Sequence, residues 1–396
     1  MNEVTSTFEQ APVPDLGLAP VPATAYYDAE WYELERQAIF MRTWFPCGHV
    51  CEVPESGSFI RREFEFARAS LIITRGKDGV IRAFHNACTH RGTQLTQDSC
   101  GKRNAFSCKY HMWTFGTDGA LISAPEFEKF GLDKKDCALK QVACEVHAGL
   151  IFVNFDKTPK QNLLEFLGPL AEGMSHLPCA HATQFSEYVY EIDANWKLTY
   201  DNFQENYHLR FIHPRSAGAG LGKDNPFGYP IAQELHDPHR TQTIWSNPDA
   251  MEQLTPAQML GLGLGAKALM RGDVPENPSN RAYFAVFLSF FMLGSTGNNF
   301  SHTVYPIGPE KSRGVIRIYW IGNDETAGTR FAREYTTATT RDVHSEDIAV
   351  IEAGQRGLSS GALEHIYFQE QEVLCRHLYL MVEQAVNAYK TEQQSV

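Results

Sequence analysis

One array of four side chains constrains this chain more than any other feature. It reads Cys88-Thr-His90, then seventeen residues, then Cys108-Lys-Tyr-His111. Two thiolates and two imidazoles are a full set of metal ligands, and each half of the array supplies one of each. Zinc fingers and ribbons build their halves otherwise, as paired cysteines or paired histidines at short spacing. A mixed pair in each half suits instead a [2Fe–2S] cluster in which one iron takes both thiolates and the other both imidazoles. Neutral imidazole in place of anionic thiolate raises the potential to roughly −150 to +300 mV, so such a cluster relays single electrons. The fold must therefore bring two short loops side by side.

The surrounding sequence supplies strands for that purpose. Between Cys47 and Phe155 the chain reads as short β runs, Phe59–Phe64, Ala69–Thr74, Val80–Phe84 and Leu150–Phe155, rich in β-branched and aromatic residues. Lys77-Asp78-Gly79 and Thr117-Asp118-Gly119 carry the Asp-Gly signal of tight hairpins. Gly92, after Arg91, lets backbone amides approach cluster sulfurs, and Trp113 and Phe115 are placed to roof the site.

A second constellation follows. Asn195-Trp196-Lys197 leads into Asn202, Glu205, His208 and His213-Pro214. Periodicity predicts helix over most of Trp196–Ile212, with Asn202, Glu205 and His208 on one face. Pro214 disfavours helix at His213, so the helix frays there and its imidazole can swing toward His208. Two histidines and a carboxylate with open positions form the facial triad of non-haem Fe(II) oxygenases.

The strings CTHRG and CKYHMWTF resemble the Rieske domain of the Rieske non-haem iron oxygenases, of the terminal oxygenase or α-subunit type. The block from Asn202 to His213 is similar to that family's N-x-x-[DE]-x-x-H-x4-H motif. The family usually has Gly between the second histidine and the Trp, where this chain has Met112. The resemblance implies a Rieske [2Fe–2S] cluster on Cys88, His90, Cys108 and His111, and a mononuclear Fe(II) on His208, His213 and a downstream aspartate. Asp347 is the expected third ligand, with Glu346 its immediate rival. Glu205 and Asn202 are the further catalytic candidates. Glu205 is expected to bridge His208 of one subunit and His111 of the next. That geometry implies a head-to-tail ring, most simply a homotrimer, with or without a β subunit. NAD(P)H would act indirectly, through a flavin/iron–sulfur reductase or a ferredoxin, with O2 as co-substrate.

Composition agrees. The chain has 396 residues, enough for two domains, and a net charge of −12, which argues against nucleic acid as a partner. Arg82, Arg91, Lys102, Arg103 and Lys109 surround the first array against a single Asp98. They read either as ordinary surface charge or as a dock for an acidic redox partner. The polar, Pro-rich Met1–Ala23 lacks the pattern of a secretory signal, and the apolar run Ala282–Leu293 is too short to span a bilayer. Nine cysteines, an odd number, do not form a disulfide framework and suit a reducing cytoplasm.

The expected fold class is α+β: a Rieske β-sandwich plus a helix-grip catalytic domain, an antiparallel sheet with covering helices. The expected division is an N-terminal segment and helix over 1–44 packing on the catalytic domain, the Rieske domain over 45–156, and the catalytic domain over 157–396. Helices are expected over Asp28–Trp44, Thr329–Arg356 and Ala362–Tyr389, a strand over Phe185–Asp193, and loops over Ser216–Asn225 and Gly261–Pro278. Phe284, Phe287, Phe290, Phe291, Met292, Phe300 and Phe211 are candidate pocket residues, with Asn298 and His302 as polar contacts. The expected reaction is hydroxylation of an aromatic or related apolar small molecule. The alternatives are a monooxygenase of quaternary ammonium compounds (carnitine, betaine, choline) and an electron-transfer protein without oxygenase activity.

Overall fold

Strands and turns of the first half close into one unit, Phe40–Phe166; Met1–Ile39 joins Leu167–Val396 in a second. The structure, a computed structural model, describes residues 8–214, 216–221, 223–245, 256–257, 259–261, 263, 280–294, 299–322 and 326–394. Asn298 and most of Gly261–Pro278 lie outside the described residues.

The 40–166 unit holds a seven-stranded antiparallel sheet in the order Phe45–His49, Leu150–Asn154, Gln141–His147, Ile81–His85, Ala69–Arg75, Ser58–Phe64, Cys100–Lys102. A three-stranded sheet of Ala105–Ser107, Thr114–Gly116 and Leu121–Ser123 packs with it around Phe59, Ile72, Phe84, Phe106 and Phe115. Both Asp-Gly turns are hairpins, and Gly79 and Gly119 take the positive φ (80° and 85°) that such turns demand.

The second unit is built on another seven-stranded antiparallel sheet. Its order is Gln184–Ile192, Lys311–Trp320, Asn299–Gly308, Phe290–Gly294, Asn280–Val286, His239–Trp245, Pro230–His236. The run Ala282–Leu293 is a strand pair within it. Against the edge strand Gln184–Ile192 lies a 33-residue helix, Ala327–Ser359, capped by Thr326, whose hydroxyl accepts from the Thr329 amide.

Three expected helices are shorter or broken. Only Ala29–Glu35 of Asp28–Trp44 is α-helical, followed by a π turn. The last helix begins at Val373, because His365–Ile366 pairs instead with Val21–Pro22. The stretch from Trp196 splits into Trp196–Asp201 and Leu209–Ile212. Side-chain bonds account for the split. Gln204 is drawn to Asp201 (3.1 Å) and to Arg240 (Nε, 2.7 Å), and Asn206 donates to the Gly228 carbonyl (3.0 Å). These tertiary bonds outweigh helix propensity. Asn202 therefore does not share one helical face with Glu205 and His208.

The first piece is anchored firmly. Asn195 caps it through the Lys197 amide (3.0 Å), and the Asn195 amide donates to Gln355 of the long helix (2.8 Å). Lys197 and Glu35 form a fully buried ion pair at 2.5 Å, and Trp196 Nε1 donates to the other Glu35 oxygen at 2.8 Å. Burying both charges is costly, and leaving either alone would cost more.

Candidate metal centres

The two ligand loops of the 40–166 unit are built alike. In the first, the Cys88 amide donates to the Thr93 carbonyl and the Gly92 amide to the Cys88 carbonyl. In the second, the Cys108 amide donates to the Trp113 carbonyl and the Met112 amide to the Cys108 carbonyl. Gly92 and Met112 are thus equivalent positions, and both have positive φ (79° and 57°). The expected glycine has a physical basis, and Met112 adopts the left-handed conformation in its place, at a cost of roughly 1–2 kcal/mol. Asn86 pins the first loop, accepting from the Leu95 and Thr96 amides and donating to the Thr96 carbonyl.

The four side chains converge. Cys88 and Cys108 are buried, and burial pushes the Cys88 thiol up while the His90 and Arg91 amides pull it down. The His90 and His111 rings lie 4.7 Å apart. The Nδ1 atoms of both are buried and have no hydrogen-bond partner among the described residues. Two orphaned imidazole nitrogens beside two buried thiols fit a cluster with two sulfur and two nitrogen ligands. Trp113 stacks on His90 (4.9 Å, 12°) and Tyr110 on His111 (3.8 Å). Phe115 is buried in the same core cluster as both cysteines and Trp113.

Most of the basic patch is neutralised. Arg82 pairs with Asp78, Lys102 with Glu55 and Arg103 with Asp98, each an exposed pair. Only Arg91 and Lys109 of the five lack an acidic partner among the described residues, so ordinary surface charge describes the patch better than a dock.

In the second unit, His208, His213 and Asp347 offer ligand atoms all within 4.8 Å of one another. His208 Nδ1 bonds Glu205, whose other oxygen accepts from the His208 amide (3.1 Å). His213 Nδ1 bonds Glu346 at 2.6 Å, and Ser216 Oγ donates to the same oxygen at 2.8 Å. Each carboxylate fixes its histidine with the proton on Nδ1 and the lone pair on Nε2. Both Nε2 atoms face Asp347 Oδ1, at 2.8 Å from His213 and 3.7 Å from His208. That oxygen is buried yet makes no hydrogen bond of proper geometry among the described residues. Lone pairs facing a carboxylate oxygen in a buried space fit a cation that holds all three. Burial lowers the His213 pKa, but Asp347 and Glu346 more than offset it, so the site favours positive charge. Glu346 stands behind His213 and outside the three-ligand group.

Chain geometry sets these positions. His208 precedes the short helix Leu209–Ile212, and His213 ends it at φ −114°, ψ 42°, with Pro214 next. Asp347 lies on the buried side of the long helix, one residue past Glu346, which reaches outward. Asn202 makes no side-chain hydrogen bond among the described residues.

Sequence reasoning missed much of the ring cluster beside the triad. Phe203 lies 4.0 Å from His302 and 5.6 Å from His344, and Tyr190 lies 4.0 Å from His344. His344 is three residues before Asp347 on the same helix, a spacing that was the available signal. Of the candidate phenylalanines, Phe211 is 61% exposed, Phe287 is buried in the turn between two strands, Phe290 is buried in the sheet, and Phe291 reaches Phe203 at 6.4 Å.

Comparison with known proteins gives two family matches. Residues 43–143 match the Rieske [2Fe-2S] domain, and residues 179–388 match the ring hydroxylating alpha subunit (catalytic domain). The glycine betaine monooxygenase oxygenase subunit of Pseudomonas aeruginosa is 31% identical over 87% of this chain and 83% of its own. The carnitine monooxygenase oxygenase subunit of Acinetobacter pittii is 27% identical over 86% and 85%. Among solved structures, the quaternary ammonium Rieske monooxygenase CntA superposes with a TM-score of 0.75 at 23% identity, over 95% of this chain and 99% of that one. Naphthalene 1,2-dioxygenase from Rhodococcus sp. gives 0.72 at 22%, over 93% and 94%. At these identities the two structures speak for the fold.

Proposed function

From the premise that this chain belongs to the Rieske oxygenases with a ring-hydroxylating alpha-subunit catalytic domain, we propose how its residues divide the work and what it acts on. The chain is an oxidoreductase, the α-subunit type of a terminal oxygenase, with a [2Fe–2S] cluster and a mononuclear iron. Such an oxygenase takes its electrons from a separate reductase or ferredoxin. No described helix is long and apolar enough to cross a membrane.

Cys88, His90, Cys108 and His111 are proposed to hold the cluster, and His208, His213 and Asp347 the iron. When bound, these groups supply one-electron transfer and dioxygen activation. The protein's own part is positional. Glu205 and Glu346 hold the Nδ1 protons and so keep both Nε2 lone pairs directed inward. Glu205, on the His208 Nδ1 side, is also the proposed electron bridge to His111 of a neighbouring subunit, which implies a head-to-tail homotrimer. The nine cysteines form no disulfide among the described residues, which supports a cytoplasmic setting.

The substrate proposed is a ring-containing apolar small molecule. The observation that carries this is the wall of Tyr190, Phe203, His302 and His344 beside the triad. Among the described residues, the charge that acts on both Tyr190 and His344 is the Asp347 carboxylate, which does not favour an anionic substrate. A quaternary ammonium substrate is the second reading. It is favoured by the betaine relative, and aromatic faces attract such a cation.

Single-turnover oxygen uptake by dithionite-reduced, iron-replete enzyme tests this. Naphthalene, indole, glycine betaine and L-carnitine are supplied separately and products identified by mass. Oxygen consumption coupled to a hydroxylated ring compound supports the first reading, and coupling to betaine or carnitine alone moves the assignment to the second. Absence of coupled uptake with every compound would count against the proposed substrates.

A further inference from the structure

Three ring nitrogens beside the candidate iron site have no hydrogen-bond partner among the described residues. His302 is 0% exposed and His344 2% exposed. Nδ1 of His302 and both nitrogens of His344 make no hydrogen bond among the described residues. A buried polar atom without a partner is costly, so three together are unusual in a packed interior.

The sequence builds this arrangement deliberately. Tyr190 and Gly314 are partners on neighbouring strands, and a Cβ on Gly314 would lie 2.0 Å from the Tyr190 ring. The missing side chain lets the phenol lie across the intervening strand and reach His302 Nε2 at 2.7 Å. That bond fixes the tautomer. A buried phenol must donate its hydrogen, and His302 Nε2 is its only hydrogen-bond partner among the described residues. Nε2 is therefore the acceptor, and the His302 proton sits on Nδ1, the atom without a partner. Burial keeps the His302 and His344 rings neutral, His344 with a pKa lowered to about 4. Each ring thus offers one N–H donor that no described residue accepts.

The two donors stand close to the reaction centre. Their rings are 6.0 Å apart, with Phe203 4.0 Å from His302 and 5.6 Å from His344. His344 feels the charges of Asp347 and His213.

We infer that His302 and His344 are specificity-determining residues that donate hydrogen bonds to an uncharged oxygen substituent of the substrate. This rests on the proposed ring substrate and narrows it: the ring carries a hydroxyl or carbonyl oxygen, which the two imidazoles grip while Phe203 and Tyr190 cover its apolar faces. A carboxylate or sulfonate is disfavoured, because neutral rings beside Asp347 offer it no compensating charge. The donors anchor the substrate and set which ring carbon lies toward His208, His213 and Asp347.

The test is calorimetric binding to the iron-replete holoenzyme, using naphthalene with 2-naphthol and toluene with benzyl alcohol. Wild type is expected to bind the oxygen-bearing member at least about tenfold more tightly. His302→Phe and His344→Phe, which keep a flat ring, are expected to reduce that preference below about threefold. His344→Gln, which keeps an N–H donor, should restore part of it. Cluster absorbance and iron content identify variants that have merely misfolded. Equal binding of both members by wild type, or a preference that survives both Phe variants, overturns the inference and assigns the nitrogens to buried water. If no ring compound binds but ammonium compounds do, the ring reading fails separately. The imidazoles are then judged by the same thresholds on L-carnitine against γ-butyrobetaine, which differ by one hydroxyl. Binding by neither family overturns the inference.

Discussion

The two candidate metal centres are assembled in opposite ways. The cluster site draws all four side chains from residues 88–111, on two loops held by short strands and by the same pair of backbone bonds. The iron site draws on residues 208, 213 and 347, from a broken helix and a distant long one. A local site needs little beyond its own turns. A composite site needs a frame, and here it is the Asn195–Gln355 bond with the buried Lys197–Glu35 pair beneath it. Local sites should therefore fail one ligand at a time, whereas the composite site should also respond to residues that touch no metal.

The largest expected effect probes their independence. Cys108→Ala should abolish the cluster's visible absorbance entirely while the mononuclear iron still binds. Loss of both together, by metal analysis and visible spectroscopy, would show that the sites are coupled through folding. A smaller effect distinguishes orientation from ligation. Glu346→Ala removes the partner of His213 Nδ1 and should weaken iron binding by about 10–100-fold, as judged by competition with a chelator. Glu346→Gln should recover part of that loss, and an unchanged affinity would reduce the contact to surface detail. The smallest concerns the loop asymmetry. Met112→Gly relieves the positive φ that Gly92 carries without cost in the matching loop. It should stabilise the cluster unit by about 1 kcal/mol, seen as a higher temperature for bleaching of the cluster.

The same contrast governs what the sequence revealed. The cluster array was legible because spacing alone defines it, and the Asp-Gly turns that frame it were legible because turn chemistry is local. His208 and His213 could be read from their motif. The break between Asp201 and Leu209 could not, because it comes from Gln204 reaching Arg240 and Asn206 reaching Gly228, partners far away in the chain. For the same reason periodicity places Asn202, Glu205 and His208 on one stripe, whereas the helix stops at Asp201. Glu346 and Asp347 are adjacent in sequence, and only the rotation of the long helix separates a residue facing His213 Nδ1 from one facing Nε2. His302 and His344 lie 42 residues apart on a strand and a helix, and no periodicity links them. Ala362–Glu372 is helix-compatible locally but includes a strand paired with Val21–Pro22, so the last helix starts only at Val373.

The central claim is that two separate side-chain sets serve a cluster and a mononuclear iron. Iron analysis of His213→Ala, read beside its visible spectrum and its oxygen uptake, tests it most directly. The account predicts full cluster absorbance, loss of the single iron outside the cluster, and no coupled oxygen consumption. Retention of that iron with normal turnover would contradict it.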